Sequence, residues 1–390
     1  MNAEARDCLV RLHETEGIGW MTICRLADAM GGVDRIALAT AADLRQLGLS
    51  ERQARLVEAA LAGGGAPKRV RPMPSAVGEC RAVTVLDREY PEQLRHIARP
   101  PWVIYIRGDP AVLSVPSVAV VGTRKPTAYG RRMADELAAG LAFAGIVVVS
   151  GLARGIDGAA HLGALRAGGV TVAVLGSGLD RVYPPEHAAL AERIVRSGGA
   201  VVSEYPPGTL PRAGLFPERN RIIAGLSLGT VVVEASEKSG AMITASLAAD
   251  AGREVFAVPG LAGAPTSRGV HLLLREGAKL TETVDDILQE IRGSVSLGQS
   301  GQTASFFTGA AQSVGDERRS VKPPTPPENV PEWTPDERRI LEIVGFEPVM
   351  LDRIWEQSGF GFGHLHEVLL SLTVKRAIIE LPGPSYARIR

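Results

Sequence analysis

Cysteine is scarce in this chain: only Cys8, Cys24 and Cys80 occur in 390 residues. Three is an odd number, and the spacing fits no metal site, so free thiols in a reducing compartment are expected. Excess charge is missing as well. Lys+Arg and Asp+Glu both number 43, so net charge gives no case for a nucleic-acid partner. Any basic site must arise by local clustering. No stretch reaches ~18 uncharged apolar residues in a row, and the opening MNAEARDCLV has no basic segment leading into an apolar one. Secretion and a membrane partner are therefore not expected, and the location is read as cytoplasmic.

Two nucleotide-binding signatures are also lacking. No glycine-rich turn ends in Gly-Lys-Ser or Gly-Lys-Thr, which leaves P-loop ATP hydrolysis without support. The segment Gly176-Ser177-Gly178-Leu179-Asp180-Arg181 has no third glycine. Ser150-Gly151 stand where an acidic residue would hold a ribose, so a nicotinamide dehydrogenase is not expected. Neither a cofactor nor a metal is called for.

What is present is an ordinary globular composition, 45% hydrophobic, in a chain long enough for two or three domains. Residues 1–62 carry short apolar runs separated by Gly17-Ile18-Gly19, Gly31-Gly32 and Gly48-Leu49-Ser50, a pattern of several short helices. A glycine just before a helix suits a helix-hairpin-helix module that meets DNA phosphate. It also suits a small helical adaptor with glycine caps, the preferred reading because neither turn is followed by a dense basic cluster. A basic stretch, Gly63 to Arg71, leads into residues 63–292, where AVTVLD and WVIYIRG read as strands around a polar helix.

From Val118 onward SVAVV, IVVVS, VTVAVLG, AVVSE, GTVVVEA and EVFAVPG alternate with helical stretches. That is the pattern of a doubly wound, mostly parallel α/β sheet covered on both faces. Glycines at 145, 168, 169, 198, 199, 229 and 252 are expected to close the helices. Residues 293–331 turn to Gly, Ser, Gln, Thr and Pro and read as a flexible linker. Residues 332–390 give three helices and a hairpin, a winged-helix pattern whose partner, DNA or protein, stays open.

In an open parallel sheet the ligand crevice lies beyond the carboxyl ends of the strands. There the chain places Gly122-Thr123-Arg124-Lys125, Ser150-Gly151-Leu152-Ala153-Arg154-Gly155, Gly176-Ser177-Gly178 and Lys238-Ser239-Gly240. Glycine permits close approach of backbone to an anion, helix amino ends offer unpaired amides, and Ser or Thr adds a hydroxyl. Together these turns predict a phosphate cradle. Arg124, Lys125, Arg131, Arg132, Arg154, Arg212, Arg219, Arg221 and Lys238 cluster on the same edge, giving the local excess that a polyanion groove needs. Such a groove also wants an exposed aromatic for base stacking. Phe216, in the loop PPGTLPRAGLFPERN ahead of a helix expected to start at Pro217, serves either that role or as a hydrophobic staple.

VAVVGTRKPTAYG, SGLARGIDGAAHLGAL, LGSGLDRVYPPEH, LFPERNRIIAGLS and VVVEASEKSGAMITASLAADAGREVFAVPG closely resemble the DNA-processing protein A family, DprA, also called Smf. The resemblance runs through nearly the whole chain. It implies an extended Rossmann-like core between a helical amino-terminal module and a carboxyl-terminal winged helix. It further implies a homodimeric, non-catalytic mediator of natural transformation that binds single-stranded DNA, protects it and loads the RecA recombinase. In that family the positions matched by Gly122, Thr123, Arg124, Phe216, Arg219 and Asn220 lie at the DNA pocket, which makes Phe216 a stacking residue. With Lys125, Arg154, Arg221 and Lys238 these form the expected interface.

Two departures are visible. His271 stands where the family has asparagine near the surface associated with dimerisation, where it can replace an amide hydrogen bond. VKRAIIELPG stands where an acidic-apolar helix end is common. The competing reading is a Rossmann-like nucleotide phosphoribohydrolase, since Gly229-Thr230 and Glu234 loosely match its Gly-Thr turn and glutamate. Here, however, the glycine and threonine precede the strand. His161 and His187 lack an adjacent nucleophile and read as structural.

Overall fold

The computed structural model describes residues 3–63, 80–296, 333–345, 349–375, 377–381 and 385–388. The basic stretch after Gly63 and the linker from 297 to 331 lie outside the described residues. The chain divides into two compact units, residues 1–313 and 314–390.

In the first unit the amino-terminal pattern yields α1 (Ala3–Glu14), α2 (Trp20–Met30), α3 (Ala41–Gln46) and α4 (Glu51–Leu61). Thr40 and Ser50 start α3 and α4 with reciprocal capping boxes to Asp43 and Gln53. Then come β1 (Arg81–Thr84), α5 (Glu92–Arg95), β2 (Val103–Gly108), β3 (Ser117–Val121), α6 (Ala128–Phe143), β4 (Val147–Ser150), α7 (Ile156–Arg166) and β5 (Thr171–Leu175). The unit continues through α8 (Ala188–Arg196), β6 (Ala200–Ser203), α9 (Leu215–Leu226), β7 (Gly229–Val232), α10 (Gly240–Asp250), β8 (Glu254–Ala257), α11 (Arg268–Arg275), β9 (Lys279–Leu280) and α12 (Val284–Ser296). The last helix runs past Arg292, where the composition changes.

These strands form one sheet in the order β1-β2-β6-β5-β4-β3-β7-β8-β9. The block from β6 to β9 is parallel, and β1 and β2 run antiparallel at one edge. The doubly wound reading holds. The apolar runs are continuous because both faces are covered. Val118, Val120, Val148 and Val231 pack under α6, α7 and α12, while Ala119, Val121, Val149 and Val232 pack under α9, α10 and α11. Left-handed glycines close the helices at Gly145, Gly168, Gly198 and Gly252. Gly229 is different: it is the first residue of β7, and a Cβ there would lie 2.6 Å from the Phe256 ring. Its glycine makes room for a neighbouring strand and caps nothing.

The amino-terminal helices share a core with the sheet. Leu9, Leu12, Ile23 and Leu26 pack in one cluster with Val103, Tyr105, Leu175 and Leu190. At the seam Trp20 stacks on Trp102 with ring centroids 5.4 Å apart, and Trp20 Nε1 donates to the Pro100 carbonyl at 2.7 Å.

The second unit contains helices Pro335–Ile343, Leu351–Ser358 and Phe362–Val374, and strands Val349–Met350, Ile378–Leu381 and Ser385–Arg388 in an antiparallel sheet. Ile340, Ile354, Leu365, Leu369, Leu372 and Ile378 fill its core, as a winged helix requires. Thr334 caps the first helix through a reciprocal box with Glu337. Lys375, one of two cations in the departing VKRAIIELPG segment, is exposed and donates to both Glu337 oxygens at 2.7 and 2.8 Å. Burial works against the Glu337 charge, but bonds from Lys375, Ser371 and the Thr334 amide hold its pKa down to about 2.

Candidate nucleic-acid interface

From β3 the chain winds outward through β4, β5 and β6, then returns through α9 to place β7 on the other side of β3. The switch point is therefore between β3 and β7, where a doubly wound sheet opens its crevice. A cleft of about 790 Å³ lies there, lined by the Gly122–Lys125 turn, Asp157, Tyr183, the start of α9 and the start of α10. Helices α6, α7, α9 and α10 all begin on this edge, so their amino ends bring positive dipole ends to it.

The Gly122–Lys125 turn owes its glycine to close packing. A Cβ at Gly122 would lie 2.6 Å from Ile156 Cγ1 and 3.0 Å from the Glu234 carbonyl. The Thr123 amide donates to the Glu234 carbonyl at 2.7 Å, and Thr123 Oγ1 accepts from the Lys125 amide at 3.2 Å. The turn is thus fixed from behind, and Arg124 and Lys125 are exposed at the cleft. The Arg124 guanidinium sits over the Phe216 ring, 5.8 Å from its centroid. Phe216 is half-buried and in the first turn of α9, not in a loop ahead of it; Pro217 follows within the same turn, where its missing N–H is harmless. Tyr183 completes the group, its ring centroid 5.5 Å from that of Phe216 and tilted 44°.

The cradle expected from four turns is smaller in the structure. In the Gly151–Gly155 turn the amides of Gly151 and Ala153 already donate to Asp157 Oδ2 at 3.1 and 3.3 Å. In the turn after β5, Gly176 passes under Phe216, the Gly178 amide donates to the Thr209 carbonyl, and Ser177 Oγ donates to the Arg181 carbonyl. Those glycines serve chain packing. The Lys238–Gly240 turn differs: Ser239 precedes α10 with a buried hydroxyl that has no hydrogen-bond partner among the described residues, and Ser239 and Gly240 line the cleft. Lys238 is exposed beside them but is not among the lining residues.

The basic residues of α9 point inward. Arg219 is only 5% exposed; its guanidinium donates to the Gly151 carbonyl at 2.8 Å and to the Val174 carbonyl. Burial lowers its pKa to about 10, opposed by the nearby Asp157 carboxylate, and the same burial raises Asp157 against the pull of Arg219. Asn220 is also buried and donates from Nδ2 to the Gly240 carbonyl at 3.1 Å, joining α9 to α10. Arg221 donates to Glu204 Oε1, and both side chains are nearly enclosed. Arg219 and Asn220 line the cleft from buried positions, whereas Arg221 is engaged by Glu204 and is not among the lining residues. Arg219 forms the cleft floor, Asn220 fixes two helices, and Arg221 anchors the loop after β6. Arg154 is exposed and paired with Glu186 at the cleft's edge.

Glu234, the glutamate of the hydrolase reading, is buried and accepts from the Thr127 amide at 2.9 Å and from the Thr127 hydroxyl. It fastens the start of α6, and Gly130 presses against its carboxyl group. His161 is fully buried, its Nδ1 bonded to Thr171 Oγ1, and burial lowers its pKa to about 3. His187 Nδ1 donates to the Leu152 carbonyl at 2.8 Å. His271 Nε2 meets the Gly260 carbonyl at 3.0 Å. Sequence reasoning missed Tyr183 and Asp157. Tyr183 had a readable signal, an aromatic followed by proline just beyond a strand-end glycine turn.

Residues 81–292 match the family described as DNA recombination-mediator protein A, and residues 323–384 match the DprA winged helix domain. Protein Smf of Escherichia coli is 38% identical over 301 residues, spanning 77% of this chain and 75% of that protein. The X-ray structure of DNA processing protein A from Streptococcus pneumoniae is similar with a TM-score of 0.63 at 34% identity, covering 72% of this chain and 95% of that one. A structure of DNA processing protein A from Helicobacter pylori, described for its single-stranded DNA binding mode, is 30% identical with a TM-score of 0.50, covering 56% of this chain and 97% of that one. The chain belongs to the DNA recombination-mediator protein A family, whose members carry the names DprA and Smf.

Proposed function

We propose that this chain is a non-catalytic single-stranded DNA-binding protein whose cleft at the β3–β7 switch point receives the strand. The observation that carries this reading is the Arg124 guanidinium held over the half-buried Phe216 ring at the mouth of the cleft. A cation for the phosphate and an aromatic face for the base stand side by side, the two elements of sequence-tolerant strand binding. Lys125 and the amino end of α10 add donors for a second phosphate. The H. pylori relative, described by its single-stranded DNA binding mode, supports the same ligand here. The engagement of Glu234 with Thr127 favours binding over nucleotide hydrolysis.

In the cell this reading places the chain in the cytoplasm as a homodimer that protects incoming strands and delivers them to RecA during natural transformation. Fluorescence anisotropy with labelled single-stranded oligonucleotides across a salt series tests the binding step. Affinity should fall steeply with salt, and Arg124→Glu should weaken it about tenfold or more. Salt-independent binding, or an Arg124→Glu variant equal to the wild type, would remove the cleft from consideration. For the delivery step, strand exchange by RecA on coated single strands should start sooner when this protein is present.

A further inference from the structure

Beside the cleft is a second groove that the proposed function leaves unused. It has a volume of about 500 Å³ and lies between α6 and α7, with Arg131 and Arg132 on one wall and Leu162 and His187 on the other. Gly155 and Gly158 also line it. Arg131 is exposed and has no ionic partner among the described residues, and Arg132 has only a loose contact with Glu136 at 3.8 Å. The acidic group on this surface, Asp135, is taken up by Arg166. The groove therefore presents Arg131 with no carboxylate partner among the described residues, and Arg132 only loosely paired with Glu136.

The opposite wall has what a base needs. Leu162 is an apolar side chain left 42% exposed. Because a carbonyl oxygen can only accept, His187 Nδ1 carries the proton given to Leu152, so the ring is fixed in orientation. Its Cε1 edge passes 3.0 Å from where a Cβ at Gly158 would stand, so the glycine leaves the imidazole room. An exposed apolar side chain and a fixed ring opposite the exposed Arg131 and Arg132 repeat, in a different arrangement, the cation and flat face found at Arg124 and Phe216.

The two depressions share one ridge. Ala153 and Asp157 line the cleft, whereas Gly155 and Gly158 line the groove. At the crest Gly155 has φ +84°, and a Cβ there would fall 2.3 Å from the Thr123 carbonyl and 2.8 Å from the Arg124 carbonyl carbon. The turn that carries Arg124 is thus packed directly against the residue that opens the groove.

We propose that a bound single strand leaves the Arg124–Phe216 cleft over Gly155 and continues along the α6–α7 groove, its phosphates on Arg131 and Arg132 and its bases against Leu162 and His187. This rests on the single-strand reading of the cleft and extends it to the path of the DNA. The groove is a second contact segment for the same strand, and it matters only for strands long enough to reach it.

Length separates the two claims. Anisotropy titrations would use the full chain with oligothymidylates of about five and about twenty nucleotides, the short one sized to fill the cleft alone. For an Arg131→Glu/Arg132→Glu variant, the long strand should bind about tenfold or more weakly with a salt slope reduced by about 1.4, while the short strand binds as to the wild type. A Leu162→Ala variant should weaken the long strand alone, without a change in salt slope. Equal long-strand affinity in wild type and the double variant would overturn the groove while leaving the cleft intact. An equal loss on both lengths would also overturn it, since the arginines would then act on the cleft itself. Absence of wild-type binding to either length would instead defeat the reading on which the groove rests.

Discussion

Arg221 Nη2 donates to Glu204 Oε1 at 2.5 Å in an ion pair whose two side chains are 13% and 11% exposed. Glu204 is held from a second direction too, because His13 Nε2 donates to its backbone carbonyl at 2.7 Å. One residue at the end of β6 thus joins α1 to α9, the helix that carries Phe216. Burial holds the His13 pKa below its usual value, so this bond is made by a neutral ring at physiological pH.

Removing one partner of an enclosed pair leaves a charge without compensation, which typically costs about 3–5 kcal/mol. Arg221→Ala should therefore lower unfolding stability by about 3 kcal/mol. Calorimetry of the variant checks the stability. The salt slope of single-strand binding should stay at its wild-type value, because Arg221 is turned away from the cleft. A slope reduced by about 0.7 would instead make Arg221 a phosphate contact.

Phe216 and Lys125 should fail in different ways. Phe216→Ala removes a stacking face and should cost about 1–3 kcal/mol of binding without altering the salt slope. Lys125→Ala should reduce the slope by about 0.7 with a smaller loss at moderate salt. Paired titrations at several salt concentrations distinguish the two.

Gly155→Ala tests the ridge. The backbone there has a positive φ, and the added methyl would meet the Thr123 carbonyl at 2.3 Å. A loss of about 1–3 kcal/mol in unfolding stability is expected from the strain, readable as a lower denaturant midpoint. A variant as stable as the wild type would show that the turn yields without cost.

The winged helix should lose stability in acid. The Glu337 pKa is held at about 2, below its ordinary value of 4.5, so its contribution is complete above pH 4.5 and is lost as pH falls toward about 2. Lys375 Nζ lies 5.7 Å from the Trp333 ring, so the Trp333 indole NMR signal of the full chain should report the change. Glu337→Gln should leave that signal far less responsive over the same pH range.

The fold was largely legible in the sequence because six apolar runs between glycine-capped helices have few other ways to bury both faces. The edge holding the cleft was legible for the same reason. What the residues do on that edge was harder to read. Arg219, Asn220 and Arg221 look like one basic motif in sequence, yet each faces a different neighbour, and only the packing of α9 against the sheet decides which. The glycines of the Gly176–Gly178 turn resemble an anion cradle because a close chain and a close phosphate impose the same requirement on a backbone. Pro217 suggested a helix start two residues late, since proline is tolerated anywhere in the first turn.

The common core of the amino-terminal helices and the sheet limits how the molecule can be dissected. A fragment trimmed to begin at Arg81 would keep every strand of the large sheet, yet it would strip the cover from Val103, Tyr105 and Leu175 and leave Trp102 without its stacking partner. Such a fragment would carry a sticky apolar face and tend to self-associate, and any clumping on DNA would report the cut surface. Residues 3–63 thus act as a permanent lining of the sheet, and measurements on the cleft belong to a chain that retains them.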